Sequence, residues 1–154
     1  REPAALAHAV KRSCEIKASV VSQDEREGGL RAILNFGHTI GHAFESFYLD
    51  SENHLLHGEA IAIGMVCEAY LSAKYCNLTQ EELANISKYI LTIYPKYNIK
   101  EKSFDTLLAL MQSDKKNEDG NIMFSLLEKI GKCTFNCRVT NDDIKSSLNY
   151  YNSL

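Results

Sequence analysis

Arg31-Ala-Ile-Leu-Asn35-Phe-Gly-His38-Thr-Ile-Gly-His42-Ala-Phe-Glu45 is a helix-length stretch with polar side chains at regular spacing. On one helix, four of them would fall within about 60° of a single face, with apolar residues crowding the other side. These four are Arg31, Asn35, His38 and His42. A solvated face normally carries Lys and Glu. A cation, an amide and two imidazoles in one row therefore favour a site for an oxygen-rich anion, and for a metal.

A second polar cluster, His54-Leu-Leu-His57-Gly58-Glu59, directly precedes a long apolar segment over residues 60–75. Neutral imidazole is the commonest metal ligand in proteins, and zinc takes three or four His, Cys or carboxylate ligands. Two His at i and i+4 plus a third from the next helix start would form such a site. The residues alone therefore allow His38, His42 and His57 as ligands, and we interpret His54 as a loop residue.

Composition limits the class of protein. The chain has 154 residues, of which 45% are hydrophobic, which predicts one domain with a substantial core. The net charge of −3 argues against binding to a nucleic-acid backbone. No apolar run approaches the roughly 20 residues of a membrane span, and we expect no signal peptide. The five cysteines are odd in number and scattered, which favours free thiols in a reducing cytoplasm.

The hydrophobic pattern predicts a mainly α, multi-helix domain with a small antiparallel β element near the C-terminus. Gly37 and Gly41 predict a smooth stripe where a second helix approaches closely. The absence of a Gly-rich phosphate loop, and of strand–helix alternation, predicts that any nucleotide cofactor binds outside this chain. The predicted helices cover residues 3–22, 31–45, 58–76, 79–94, 103–112 and 140–151, and the predicted strands 121–127 and 133–139.

Several motifs together resemble a known family. The segment from Ser13 to Glu45 closely resembles the signature of 3-dehydroquinate synthase. His57-Gly-Glu-Ala-Ile-Ala-Ile-Gly-Met65 and Asp114-Lys-Lys-Asn117 continue the resemblance in the same order. It is strongest over residues 12–68, whereas between 77 and 110 it rests on the helix pattern alone.

The resemblance implies a two-domain enzyme with its site in the cleft. Residues 1–154 correspond to the C-terminal helical metal- and substrate-binding domain, and the N-terminal Rossmann-like NAD-binding domain is absent from this chain. The family is a lyase of the shikimate pathway of aromatic amino acid biosynthesis. It converts 3-deoxy-D-arabino-heptulosonate 7-phosphate, a phosphorylated keto-acid, to 3-dehydroquinate plus phosphate. NAD transiently oxidises a secondary alcohol, phosphate is eliminated, the carbonyl is reduced again and the ring recloses. We expect a cytoplasmic homodimer at full length, and an inactive fragment alone.

The family motif also implies roles for single residues. His38 and His57 correspond to ligands of a divalent metal, zinc before cobalt. His42 corresponds to a catalytic residue that hydrogen-bonds the substrate and relays protons, and so is not a metal ligand. The family's third ligand, a Glu in a Glu-x-x-Lys motif, is not found here, because Glu15-Ile-Lys17 has the wrong spacing. The implied substrate contacts are Lys17, Arg31, Asn35 and Lys115, with Lys115 favoured over Lys116.

Three alternatives remain open. Sister sugar-phosphate cyclases share the signature and differ in substrate. Metal-dependent polyol dehydrogenases share the two-domain architecture but would accumulate NADH. A non-catalytic helical interaction module would show the same metal affinity after alanine replaces His38 and His57.

Overall fold

The computed structural model describes residues 2–26, 28–49, 54–113 and 122–154. These residues form α-helices, short 3₁₀ helices and a two-stranded antiparallel sheet, so the predicted mainly α class is confirmed. The α-helices are α1 (Pro3–Gln23), α2 (His38–Tyr48), α3 (His57–Tyr75), α4 (Gln80–Ile93), α5 (Phe104–Ser113) and α6 (Asn141–Ser153). The 3₁₀ helices are Leu30–Asn35 and Glu101–Ser103, and the strands are β1 (Met123–Lys129) and β2 (Lys132–Arg138).

Helix α3 is the centre of the fold. It packs against α2, α4, α6 and β1, and ten of its residues are buried. Ile63, Val66 and Leu71 are all 2% exposed or less. A helix that is apolar on every side must be surrounded by other elements, which explains why this segment lies at the centre. The start of α3, where His57 lies, emerges from this core at the surface.

Helices α2 and α3 cross at very short range, and glycine makes the crossing possible. A Cβ atom built on Gly64 would lie 2.0 Å from the carbonyl oxygen of Gly37 and 2.8 Å from the amide nitrogen of Gly41. A Cβ on Gly41 would lie 2.7 Å from a side-chain carbon of Ile61. The predicted close approach along the Gly37–Gly41 stripe is therefore confirmed, and it fixes how far His38 lies from the start of α3.

The prediction of one continuous helix over residues 31–45 is wrong. A 3₁₀ helix ends at Asn35, and α2 begins at His38. Between them Gly37 adopts a left-handed conformation with φ of +83°, which glycine tolerates and which breaks the helical ladder. Arg31 and Asn35 therefore lie on a different element from His38 and His42, and the predicted row of four polar side chains is divided into two pairs.

The predicted β element is present as a hairpin, with different bounds. Its two strands are joined by only two residues, Ile130 and Gly131, and Gly131 has φ of +87°. The first strand therefore runs two residues beyond the predicted position 127. The predicted start at 121 lies outside the described residues. The Ser125 hydroxyl donates to the carbonyl oxygen of Ala32 at 2.6 Å, which ties the hairpin to the first 3₁₀ helix.

Threonine side chains cap two of the helices, α4 and α6. The Thr79 hydroxyl accepts from the amide of Glu82 at 3.2 Å, and the Thr140 hydroxyl accepts from the amide of Asp143 at 3.2 Å. All five cysteines are free, as predicted. Over the described ranges, the helices lack the combination of length and apolar character that crossing a membrane requires.

Candidate functional site

Three imidazoles meet where α2 crosses the start of α3. His38 and His42 lie one turn apart on α2, and their ring centroids are 5.3 Å apart. His57, the first residue of α3, lies 5.8 Å from His38 and 6.0 Å from His42 by the same measure. The fold thus brings His57 next to His38 and His42, the three histidines that the sequence selected, although His57 lies on a different helix.

A buried carboxylate fixes the start of α2. Glu68 is fully buried on α3, and its carboxylate accepts from the backbone amides of Gly37 at 2.6 Å and Ile40 at 3.2 Å. Gly37 occupies the N-cap position of α2 and has no side chain that could accept from the free amides there, so Glu68 accepts from them instead. Burial raises the pKa of Glu68 to about 8 and outweighs the opposing effect of these hydrogen bonds. Because Glu68 lies on α3, it also couples α2 to that helix.

Both predicted metal ligands have their Nδ1 atom facing an oxygen of this chain. His38 Nδ1 lies 3.2 Å from the carbonyl oxygen of Phe36, which only accepts, so this nitrogen carries the hydrogen. His57 Nδ1 lies 3.2 Å from each carboxylate oxygen of Glu45. In both rings this contact assigns the metal-binding lone pair to Nε2.

One set of donor atoms that could hold a transition metal differs from the predicted pair, because it contains His57 but not His38. His42, Glu45 and His57 each offer a ligand atom, and these atoms lie within 4.8 Å of one another. Imidazole nitrogen with carboxylate oxygen is a donor set that zinc accepts, and imidazole also suits neighbouring first-row metals. The site is half-open, since the His57 side chain is 55% exposed and that of Glu45 35%.

Two cavities border the imidazole cluster. One of about 290 Å³ contains His42 and Glu45, and the other, of about 210 Å³, contains His38 and His57. The first is completed by Thr39, Ala43, Ser46, Leu110, Met111 and Ser113, and the second by Gly58, Ile61, Ala62, Met65, Ile90 and Tyr94. The cluster therefore has room for small ligands in two adjoining spaces.

The predicted substrate contacts are spread over other elements. Lys17 is exposed on α1, and Asn35 ends the first 3₁₀ helix. Arg31 lies at the start of that helix, and its guanidinium donates to the carbonyl oxygen of Glu25 at 3.2 Å. Lys115 and Lys116 lie outside the described residues.

Three carboxylates that shape this region were not among the site residues predicted from the sequence. Asp24 accepts from the amides of Gly28 at 2.8 Å, and of Gly29 and Arg31 at 2.9 Å, and so shapes the loop before the 3₁₀ helix. The bond from Arg31 leads the causes that lower the pKa of Asp24. The sequence signal for Glu68 is an acidic residue within an otherwise apolar helix. Glu45 was detectable because i+7 places it on the same helical face as His38.

A helical domain with three clustered imidazoles, bordered by two cavities, offers a candidate site for a metal and a small ligand, and comparison with known proteins identifies its family. The family described as 3-dehydroquinate synthase C-terminal matches residues 1–117. A 3-dehydroquinate synthase from Parabacteroides distasonis is 44% identical over 142 residues, which is 92% of this chain and 40% of that protein.

Solved structures of sugar-phosphate cyclases share the fold. A 2-deoxy-scyllo-inosose synthase, complexed with carbaglucose-6-phosphate, NAD⁺ and Co²⁺, matches with a TM-score of 0.77 and 25% identity over 97% of this chain and 42% of its own. A 2-epi-5-epi-valiolone synthase from Streptomyces hygroscopicus, with NAD⁺ and Zn²⁺ bound, matches with a TM-score of 0.73 over 99% of this chain and 41% of its own. At 24% identity, this second likeness concerns the fold alone.

This chain therefore belongs to the 3-dehydroquinate synthase C-terminal family. It spans about two fifths of the length of the relatives it matches.

Proposed function

We propose that this chain is the metal- and substrate-binding domain of a 3-dehydroquinate synthase. The complete enzyme would convert 3-deoxy-D-arabino-heptulosonate 7-phosphate to 3-dehydroquinate and phosphate in the shikimate pathway. An N-terminal NAD-binding domain of the same protein would complete the active site, and we expect the chain alone to be inactive. A cytoplasmic homodimer is our proposal for the full-length protein.

The imidazole cluster carries this proposal. Three rings lie within 6.0 Å of one another, and two of them have Nδ1 against a protein oxygen, which supports a metal site in a chain of this family. The shared fold of the NAD⁺- and metal-bound cyclases supports it further. Two histidines leave ligand positions for a group outside this chain and for the substrate.

We assign the metal to Nε2 of His38 and Nε2 of His57, with zinc as the first choice and cobalt as the alternative. When bound, such a metal supplies Lewis acidity toward substrate hydroxyls, and NAD supplies the hydride acceptor. His38 is held by the start of α2 and His57 by the start of α3. The Glu68 carboxylate, which joins these two helices, therefore sets the spacing of the two ligands.

His42 is our candidate for proton transfer and substrate hydrogen bonding. It lies one turn after His38 and borders the cavity of about 290 Å³, so a substrate group there could exchange a proton with a ring nitrogen. Arg31 would bind the substrate carboxylate through paired N–H donors. Asn35, Lys17 and Lys115 would hold its remaining oxygens.

The phosphate and nicotinamide products test the reaction. The protein, as its gene encodes it, is supplied with the keto-acid phosphate, zinc and NAD at one tenth of the substrate concentration. Release of phosphate in excess of the NAD supplied, without NADH accumulation, is the expected result, because a synthase regenerates its NAD. Stoichiometric NADH without phosphate would contradict the proposal and indicate a polyol dehydrogenase.

Substrate choice separates the synthase from its sister cyclases. Glucose 6-phosphate lacks the carboxylate that Arg31 would bind, and so we expect no phosphate release from it. Turnover of glucose 6-phosphate and not of the keto-acid would contradict the assigned substrate. Arg31→Lys should raise KM for the keto-acid, because a point charge replaces the two-pronged donor.

A further inference from the structure

The carboxylate of Glu45 has a position that the proposed reaction does not explain. Glu45 follows His38 by seven residues and His42 by three, so all three side chains lie on one face of α2. Across the helix crossing, both of its carboxylate oxygens lie 3.2 Å from Nδ1 of His57. The contact links the two helices at the metal-binding side of the cluster.

We propose that Glu45 is a positioning residue, which accepts a hydrogen bond from Nδ1 of His57 and thereby directs Nε2 of that ring at the metal. This inference rests on the proposed function, because it assumes that His57 binds the metal. One ring nitrogen cannot both donate to a carboxylate and bind a cation. The contact therefore leaves Nε2 as the ligand atom of His57.

The two predicted ligands are oriented in the same way by different oxygens. Nδ1 of His38 faces the Phe36 carbonyl, and Nδ1 of His57 faces the Glu45 carboxylate. Backbone carbonyls and carboxylates are the usual partners of the second nitrogen in metal-bound histidine, and losing such a partner typically weakens metal binding 10–100-fold. The carboxylate also makes the ring a stronger donor to the metal.

Two other roles for Glu45 predict different behaviour. If Glu45 only formed a half-exposed ion pair with His57, it would contribute little to the stability or metal affinity of the site. As a direct ligand, it would join His42 and His57, whose ligand atoms lie within 4.8 Å of its own. Affinity and coordination, measured separately, distinguish these roles.

The experiment measures zinc affinity by competition with a chromophoric chelator, and the visible absorption spectrum of Co²⁺ bound in place of zinc. It uses the protein as its gene encodes it, and the variants Glu45→Ala and Glu45→Gln. Glu81→Ala removes an exposed carboxylate of α4 and is the matched control. His57→Ala tests the metal site itself. Circular dichroism of the metal-free variants checks that each is folded.

We expect Glu45→Ala to weaken zinc binding 10–100-fold and Glu45→Gln to weaken it less, because the amide oxygen still accepts from Nδ1–H. The Co²⁺ spectrum of both loaded variants should match that of the parent, since the ligands are unchanged. An affinity for Glu45→Ala within twofold of the control, while His57→Ala loses binding, would overturn this inference alone. Weakened binding with an altered Co²⁺ spectrum would overturn it in favour of direct ligation. Unchanged binding in His57→Ala would instead overturn the proposed metal site.

Discussion

The close crossing of α2 and α3 makes Gly64→Ala the most informative single change in the fold. The new Cβ would lie 2.0 Å from the Gly37 carbonyl oxygen and 2.8 Å from the Gly41 amide nitrogen, where real Cβ contacts stay above 3.0 Å. Both obstacles are backbone atoms and cannot rotate away. The two helices must therefore separate by about 1 Å, the difference between 2.0 and 3.0 Å, or the crossing must unwind.

The energetic cost follows from this separation. Overpacking of a core typically costs about 1–3 kcal/mol, and a backbone obstacle places this site at the upper end or above it. Alanine regains up to about 1 kcal/mol of helix propensity over glycine. We expect a net loss of about 2–3 kcal/mol in the free energy of unfolding.

Gly58→Ala is the matched control, because it is the same substitution on the same helix. Its nearest obstacle is the Tyr94 hydroxyl at 3.7 Å, an ordinary contact distance. Urea unfolding followed by circular dichroism at 222 nm measures both variants. We expect the midpoint to fall for Gly64→Ala and to hold or rise for Gly58→Ala. An unchanged midpoint in Gly64→Ala would refute the crossing geometry.

Three further predictions concern other carboxylates and thiols. Because the pKa of Glu68 is raised to about 8 in the folded chain, its contribution to the free energy of unfolding should fall as pH rises from about 4.5 to 8, by up to about 1.4 kcal/mol per pH unit. Urea unfolding across this range should show a smaller dependence of stability on pH in Glu68→Gln than in the parent. The same dependence on pH in both proteins would contradict the prediction. Asp24→Ala should speed hydrogen exchange of the Arg31 amide, measured by NMR, because the carboxylate accepts from it at 2.9 Å; unchanged exchange would count against that anchor. Mild diamide oxidation should join Cys76 to Cys137, whose sulfur atoms lie 3.9 Å apart, and peptide mapping that finds either one joined to Cys14 instead would contradict the geometry.

The features that could be predicted from the sequence are those that depend on the local pattern of residues, such as the ranges of the helices. The helices predicted over residues 58–76 and 79–94 match α3 and α4 to within one residue at each end. His38, His42 and His57 could be selected together because histidines are concentrated in two short segments, and the fold brings their rings within 6.0 Å of one another.

The remaining features depend on tertiary contacts. The Gly37 break was not predicted because the helical period continues across it, and what stabilises the left-handed turn is Glu68, 31 residues away. The pairing of Glu45 with His57 was likewise missed, since no local pattern shows which carboxylate meets a histidine on another helix. Both depend on how α2 packs on α3.

The position of a bound metal tests the central claim most directly. A crystal of the complete protein grown with zinc, measured on both sides of the zinc absorption edge, locates the ion by anomalous difference. We expect one peak, about 2.0–2.1 Å from Nε2 of His38 and from Nε2 of His57, with the Glu45 carboxylate on the far side of the His57 ring. A peak between His42 and Glu45, out of reach of His38, would contradict it.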